Sequence, residues 1–323
     1  MYACIDLGSN SFHLLIGEWV DGRVEIVERY SEKVQLGESA YATGVISTAA
    51  FERGILCLKQ FKTLMDKYPL ERYWALGTNT FRITANSEDF IQSAKRIGIH
   101  VSTISGVQEA VLIYAGVISE LPTTDNHRLV VDIGGGSTEI IVGKQHTRLL
   151  TESMAIGSVA WRDKFFSNKT PNLIELEQSL DEAVDAARQV FAQVAPGISK
   201  AAWSEAYASS GTVKMLALIC NAHGHSQGQI KLQTLQQLKP LMLDNILNDT
   251  DLPGLKERRR DVLLSGWSVL VGLMQAYSIE TINFSATALR EGMLDFMVKN
   301  TKTLPILMHS DLPKVSYAKT SVT

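Results

Sequence analysis

The chain has 323 residues, 45% apolar and 20% charged, with a net charge of −3 from 31 basic and 34 acidic side chains. That length exceeds one ordinary core and suits two domains of about 100–200 residues each, and the slightly acidic balance argues against general binding of duplex DNA or RNA. Cys4, Cys57 and Cys220 are scattered without a CxxC spacing, no leader is read at the N-terminus, and the most apolar stretch, residues 262–274, is too short for a bilayer; the chain is expected to be cytoplasmic, with reduced thiols and no membrane partner.

In chain order, residues 2–7, 12–19 and 23–30 are rich in β-branched and aromatic residues and read as strands. Turn signals separate them at Gly8–Asn10 and at Asp21-Gly22, the latter a hairpin signal because glycine accepts positive φ. Ser47 reads as the N-cap of a helix to about Lys67, with Ile55, Leu58, Phe61, Leu64 and Met65 at helical spacing. A strand at 72–76, a helix at 87–97, a strand at 99–104 and a helix at 107–118 follow.

The pattern then restarts. Strands are predicted at 128–133, 138–142 and 148–152, then helices at 156–166 and 173–194 and a strand at 205–209. Helices at 213–222, 232–247 and 256–276, a strand at 281–285 and a helix at 289–298 complete the series. Asp6-Leu7-Gly8-Ser9-Asn10-Ser11 and Asp132-Ile133-Gly134-Gly135-Gly136-Ser137 share one template, each joining a first strand to a second. Two copies, one in each half, indicate an α/β chain with a duplicated βββαβα core. Pro122-Thr123-Thr124-Asp125-Asn126 is turn-prone and reads as the crossing between domains 1–122 and 123–299. The tail 300–323 is weakly periodic, and a return to the first domain is one reading of it.

The chemistry follows from the two Asp–Gly turns. A strand that ends in Asp and turns tightly through Gly exposes successive backbone N–H groups, a nest for anionic oxygens. The Asp carboxylate repels phosphate but suits Mg²⁺ or a metal-bound water. One such turn is usually a plain hairpin, whereas a matched pair with Asp and Ser in register points to phosphate. Glu109, near the head of a helix capped by Ser105, reads either as a macrodipole-favoured acid or as a proton acceptor for an attacking water. Glu139 shares the strand face of Ser137 and is either an exposed acid or a Mg²⁺ carboxylate. Ser209-Ser210-Gly211-Thr212 opens a helix as an anion site or as an ordinary Gly turn with a Thr cap. Arg258-Arg259-Arg260 form a solvated helix end or hold phosphate, Arg290 and Glu291 suit an ion pair, and His223 and His225 read as a surface loop.

The motifs together resemble the exopolyphosphatase/guanosine pentaphosphate phosphohydrolase (Ppx/GppA) family of the actin-like ATPase superfamily. The matching stretches are Asp6 to His13, Gly77-Thr78-Asn79-Thr80-Phe81-Arg82, Ile104-Ser105-Gly106 with Glu109-Ala110, Val131 to Glu139, Ser209 to Thr212, and Ala288-Leu289-Arg290-Glu291-Gly292. The resemblance implies two actin-like (ribonuclease H-like) domains with the active site in a cleft, and Mg²⁺ or Mn²⁺ as cofactor. It implies Glu109 as the catalytic acid, Asp6, Asp132 and Glu139 around the metal, and Gly8, Ser9, Asn10, Ser11, Gly134, Gly135, Gly136 and Ser137 as phosphate loops. Arg82 matches a cleft arginine, and Gly211 and Thr212 a further phosphate contact. Polyphosphate is the expected substrate and pppGpp the alternative; an actin-like sugar or acetate kinase and a non-catalytic nucleotide sensor are the readings from other classes. A homodimer is compatible with the resemblance. Gln108 stands where the family often has a second acid. Many members carry further C-terminal helical domains, so a long basic channel is expected to be absent or reduced here.

Overall fold

The structure, a computed structural model, describes residues 1–21, 23–167, 171–225 and 227–299. Two compact units divide the chain, one built from Met1–Glu120 and the segment that begins at Thr287, the other from Leu121–Ala286.

The first unit holds a five-stranded sheet of β1 (Tyr2–Leu7), β2 (Phe12–Val20), β3 (Arg23–Glu32), β4 (Arg72–Gly77) and β5 (Val101–Thr103) in the order β3-β2-β1-β4-β5. The β1–β2 and β2–β3 pairs are antiparallel hairpins, and β1–β4 and β4–β5 are parallel crossovers. Its helices are α1 (Ala40–Thr43), α2 (Thr48–Met65), α3 (Asn79–Ile83), α4 (Ser87–Arg96) and α5 (Gly106–Ser119). Helix α2 starts where Ser47 accepts a hydrogen bond from the Ala50 amide, and it buries Ala50, Cys57, Leu58, Phe61 and Met65 on one face. Phe90 of α4 sets its ring edge-on to Phe12, Phe51 and Phe81, clamping sheet and helices together. Each fully buried aromatic or leucine in this core contributes about 1.5–3 kcal/mol.

The second unit repeats the plan. Strands β6 (His127–Ile133), β7 (Thr138–Lys144), β8 (Thr147–Met154), β9 (Trp203–Ser209), β10 (Gln229–Lys231) and β11 (Thr281–Phe284) lie in the order β10-β11-β9-β6-β7-β8. Strands β8, β7, β6, β9 and β11 occupy the places of β3, β2, β1, β4 and β5, with β10 added antiparallel at one edge. This is the duplicated βββαβα core expected from the repeated template, in the actin-like, ribonuclease H-like arrangement that the family resemblance implies. The helices are α6 (Ser158–Phe165), α7 (Leu173–Ala192), α8 (Ala195–Lys200), α9 (Gly211–Ala222), α10 (Leu232–Asn248) and α11 (Leu263–Ala276). The expected helix at 173–194 gives way to α8 at Pro196, which favours the first turn of a new helix. The helix expected at 256–276 begins instead as a 3₁₀ turn at Glu257–Val262, where Arg260 pairs with Asp249 and Asp261 with Arg162.

The last described helix, α12 (Leu289–Lys299), packs with the first unit, on α5 and β1. Periodicity alone assigns residues 289–298 to the second domain, because it shows that a helix is apolar on one side but not which core it meets. The α5–α12 crossing is backbone to backbone: a Cβ on Gly116 would lie 1.9 Å from the Ala288 carbonyl oxygen, and one on Gly292 1.9 Å from that of Leu112. Glu291 accepts the Ala288 amide at 3.0 Å and pairs with Arg29 of β3 at 3.0 Å, so its ionic partner is Arg29 rather than its neighbour Arg290. The tail 300–323 and Gly22 of the Asp21-Gly22 turn lie outside the described residues; Asp21 itself takes a φ of 50°.

Candidate functional site

In the first unit, Asp6 stands at the end of β1, in register with His13 on β2 and Leu76 on β4. The turn that follows, Gly8 to Ser11, is anchored through its carbonyls: Ser9 O accepts from the Gly37 amide and Asn10 O from the Gln35 amide, both at 2.8 Å. In a planar trans peptide the N–H points opposite the preceding C=O. The amides of Asn10 and Ser11 therefore face away from that anchoring segment. Ser9 and Asn10 are buried, and both polar atoms of the Asn10 side chain lack a hydrogen-bond partner among the described residues. A buried amide without partners is costly, which suits it to a ligand or water that completes the loop.

Glu109 lies in the first turn of α5. The helix is capped by Ser105 and Gln108 reciprocally: Ser105 Oγ accepts the Gln108 amide at 3.2 Å, and Gln108 Oε1 accepts the Ser105 amide at 2.7 Å. Gln108, the departure from the family pattern, therefore performs the capping, and Glu109 does not. Glu109 Oε2 accepts from Arg82 Nη1 at 2.8 Å, and the same Nη1 donates to Ile104 O at 3.0 Å. Oε1 has no hydrogen-bond partner among the described residues. Burial lifts the Glu109 carboxyl above its ordinary range, with the Arg82 guanidinium opposing that rise. Such a carboxylate is held in one orientation and is a better base than an exposed one.

The second unit carries the matching turn. Asp132 at the end of β6 stands opposite Glu139 on β7 and beside Ser209 on β9, whose hydroxyl donates to Asp132 Oδ2. Glu139 is fully buried and accepts from Ser153 Oγ at 2.9 Å. The Gly134 amide closes the turn onto Ser137 O at 2.9 Å. Gly134 O then accepts the Ser158 amide at 2.9 Å, and Gly135 O accepts the Val159 and Ala160 amides at 2.8 and 3.0 Å. Helix α6 thus takes the carbonyls, and the amides of Gly135 and Gly136 point the other way. Gly157, which composition did not single out, is what lets the loop lie on α6: its Cβ would fall 2.5 Å from Gly135 C and Gly136 N.

At the head of α9, Ser210 rather than Thr212 is the cap, accepting the Thr212 and Val213 amides at 3.1 and 3.2 Å. Its φ of 105° is strained for a residue with a side chain. Thr212 is buried and turned inward, its hydroxyl donating to Ser158 Oγ at 3.1 Å. Arg259 covers Gly211: a Cβ there would lie 2.3 Å from Nη2. No carboxylate pairs with Arg259 among the described residues, and burial lowers its pKa, followed by repulsion from Arg258. Of the three arginines, this one was not separable by spacing, because which side chain of a tight turn faces inward depends on the packing of Gly211.

Asp132 and Glu139, opposed on one sheet face, are oxygen donors of the kind a hard divalent cation takes. Asp6 is the corresponding strand-end carboxylate of the first unit. Among the described residues no group of three His, Cys, Asp or Glu side chains is gathered as a metal site, and no helix is long and apolar enough to cross a membrane. The three cysteines are buried and free.

Two βββαβα cores, each with an Asp–Gly turn whose carbonyls are taken by the scaffold, define a protein of actin-like fold. The chain belongs to the Ppx/GppA phosphatase family, whose profile matches residues 15–301. A guanosine-5'-triphosphate,3'-diphosphate pyrophosphatase of Pseudoalteromonas translucida is 36% identical over 320 residues, 97% of this chain. The chain spans 61% of that relative's length. Among solved structures, an exopolyphosphatase from Cytophaga hutchinsonii matches with a TM-score of 0.83 and 26% identity, covering 94% of this chain and 99% of that one. The Aquifex aeolicus member of the Ppx/GppA family matches with a TM-score of 0.73 and 25% identity, over 93% and 98% of the two chains.

Proposed function

We propose that the protein hydrolyses a phosphoanhydride bond and releases the terminal orthophosphate of inorganic polyphosphate. The observation that carries this reading is Glu109: buried, fixed by Arg82 through one oxygen, and with its other oxygen without a hydrogen-bond partner among the described residues. Water at Glu109 Oε1 gives up its proton to the carboxylate as it attacks the end phosphorus, and the bridging P–O bond breaks. The outward-facing amides of Asn10 and Ser11 in the first unit, and separately those of Gly135 and Gly136 in the second, are donors suited to phosphate oxygens, and the Arg259 guanidinium beside Gly211, with no carboxylate partner among the described residues, is a bidentate donor of the second unit. Asp132 and Glu139 would hold Mg²⁺ or Mn²⁺ in the second unit, and Asp6 is the equivalent carboxylate of the first; the cation would supply charge neutralisation of the phosphates.

A second substrate is favoured by a specific observation. The relative that is 36% identical over almost the whole chain acts, by its name, on guanosine-5'-triphosphate,3'-diphosphate. Orthophosphate release from polyphosphate and from that nucleotide, each with and without Mg²⁺, tests both. Release from either in the presence of Mg²⁺ is expected. ATP-dependent phosphorylation of a small acceptor, or nucleotide binding without release, would point to the kinase or sensor reading instead.

A further inference from the structure

The Gly8–Ser11 turn has a support that the repeated template does not contain. Ser9 Oγ lies 2.9 Å from the hydroxyl of Tyr41 on α1 and accepts from Thr80 Oγ1 on α3 at 2.8 Å. Tyr41 also reaches Asn79 Oδ1 at 3.2 Å, so one phenol ties α1, the turn and α3 together. A hydroxyl has two lone pairs and one proton. The Tyr41 phenol has one proton to serve both Ser9 Oγ and Asn79 Oδ1, so the hydroxyls of Thr80, Ser9 and Tyr41 and the Asn79 amide oxygen form one linked chain that holds the buried Ser9 in place.

Gly37 shows that this convergence is built in. A Cβ on Gly37 would lie 2.9 Å from Ser9 Cβ, 3.1 Å from Thr80 Oγ1 and 3.3 Å from Tyr41 Cε2. The three partners meet over a backbone atom with no side chain, and the Gly37 amide holds Ser9 O at 2.8 Å. Helix α1 is a single turn entered and left through left-handed residues, Ser39 at φ 63° and Gly44 at φ 70°, so it presents Tyr41 without belonging to the sheet. Helix α3 carries Arg82, which orients Glu109, so the same short segment supports both parts of the candidate site.

We propose that Tyr41 is a positioning residue that, with Thr80, fixes Ser9 and so holds the Asn10 and Ser11 amides of the turn toward an anionic phosphate oxygen; this rests on the phosphate-binding role proposed for the turn. The role is binding rather than proton transfer.

The test uses the full chain with orthophosphate release from polyphosphate as the assay, for Tyr41→Phe, Ser9→Ala and the double variant. Tyr41→Phe keeps the ring and removes only the hydroxyl. It is expected to raise KM by about 3- to 10-fold, the worth of one hydrogen bond, with kcat changed by less than about 2-fold. Its melting temperature should match the wild type. Ser9→Ala should raise KM at least as far, and Tyr41→Phe should add nothing in the Ser9→Ala background. Gly37→Ala, which intrudes on the same three groups, should reproduce the rise in KM. An effect of Tyr41→Phe undiminished in the Ser9→Ala background would overturn the proposal, as would no effect of Tyr41→Phe where Ser9→Ala raises KM. Unchanged KM in Ser9→Ala would overturn the phosphate-binding role of the turn, and this inference with it.

Discussion

Arg82→Ala removes the one cation that touches Glu109 among the described residues. Nη1 lies 2.8 Å from Glu109 Oε2, with the two side chains 19% and 11% exposed, so solvent screens the pair weakly. A hydrogen bond between charged partners of this kind contributes about 1.5–3 kcal/mol. Its loss shifts the ionisation of Glu109 toward the protonated form by about 10- to 150-fold in equilibrium constant. The sign is set by two opposed causes. Burial already lifts the carboxyl above the ordinary value of 4.5, and Arg82 holds it down; without Arg82 only the lifting cause remains. A base acts while ionised, so the acid limb of kcat/KM against pH should move to higher pH in Arg82→Ala, with more activity recovered at alkaline pH than at neutral pH. Stability follows the same linkage. Between 4.5 and the raised folded value the native state binds more protons than the unfolded one, so stability falls as pH rises through that window, and further in the variant. Phosphate release measured from pH 5 to pH 9 gives the profile. An acid limb that stays in place, or moves to lower pH, would refute the assignment of Glu109 and Arg82 as base and orienter.

Three further outcomes are expected. Gly157→Ala drives a methyl into the Gly135–Gly136 peptide, so KM should rise by about 10-fold or more for any phosphate substrate, with a melting temperature lower by several degrees for about 1–3 kcal/mol of overpacking; wild-type kinetics would count against the loop's role. Gly292→Ala places a methyl against the Leu112 carbonyl, a backbone atom with little room to yield, and should cost about 3 kcal/mol in urea unfolding; an unchanged midpoint would contradict the close α5–α12 crossing. Asp132→Asn keeps the shape and the Ser209 contact but halves the local carboxylate charge opposite Glu139, so the Mg²⁺ concentration for half-maximal activity should rise by about 10-fold; an unchanged titration would remove Asp132 from the cation's ligands.

The fold was legible where local chemistry repeats. Asp6 to Ser11 and Asp132 to Ser137 announced two copies of one core because a strand-end Asp followed by a Gly turn is a local pattern. Helix α2 was legible from Ser47 and the spacing of Leu58, Phe61 and Met65. Helix α12 was legible as a helix but not as a member of the first unit, since its placement is decided by the mutual lack of Cβ atoms at Gly116 and Gly292, which lie far apart in sequence. The same limit applies to the candidate site. Glu109 and Arg82 were both identified, but their 2.8 Å pairing joins α5 to α3, and no spacing encodes it. Gly157, Tyr41 and Arg259 act through close approaches across the fold, and a lone Gly, Tyr or Arg carries no signal of that in the sequence.

The account stands most directly on single-turnover release of orthophosphate by Glu109→Gln. The amide keeps the size and an acceptor oxygen for Arg82 but cannot take a proton from water. Loss of the acid limb and a fall in rate of about 100-fold or more, with substrate still bound, is the expected result. Release at the wild-type rate would contradict the proposed role of that carboxylate and, with it, the mechanism.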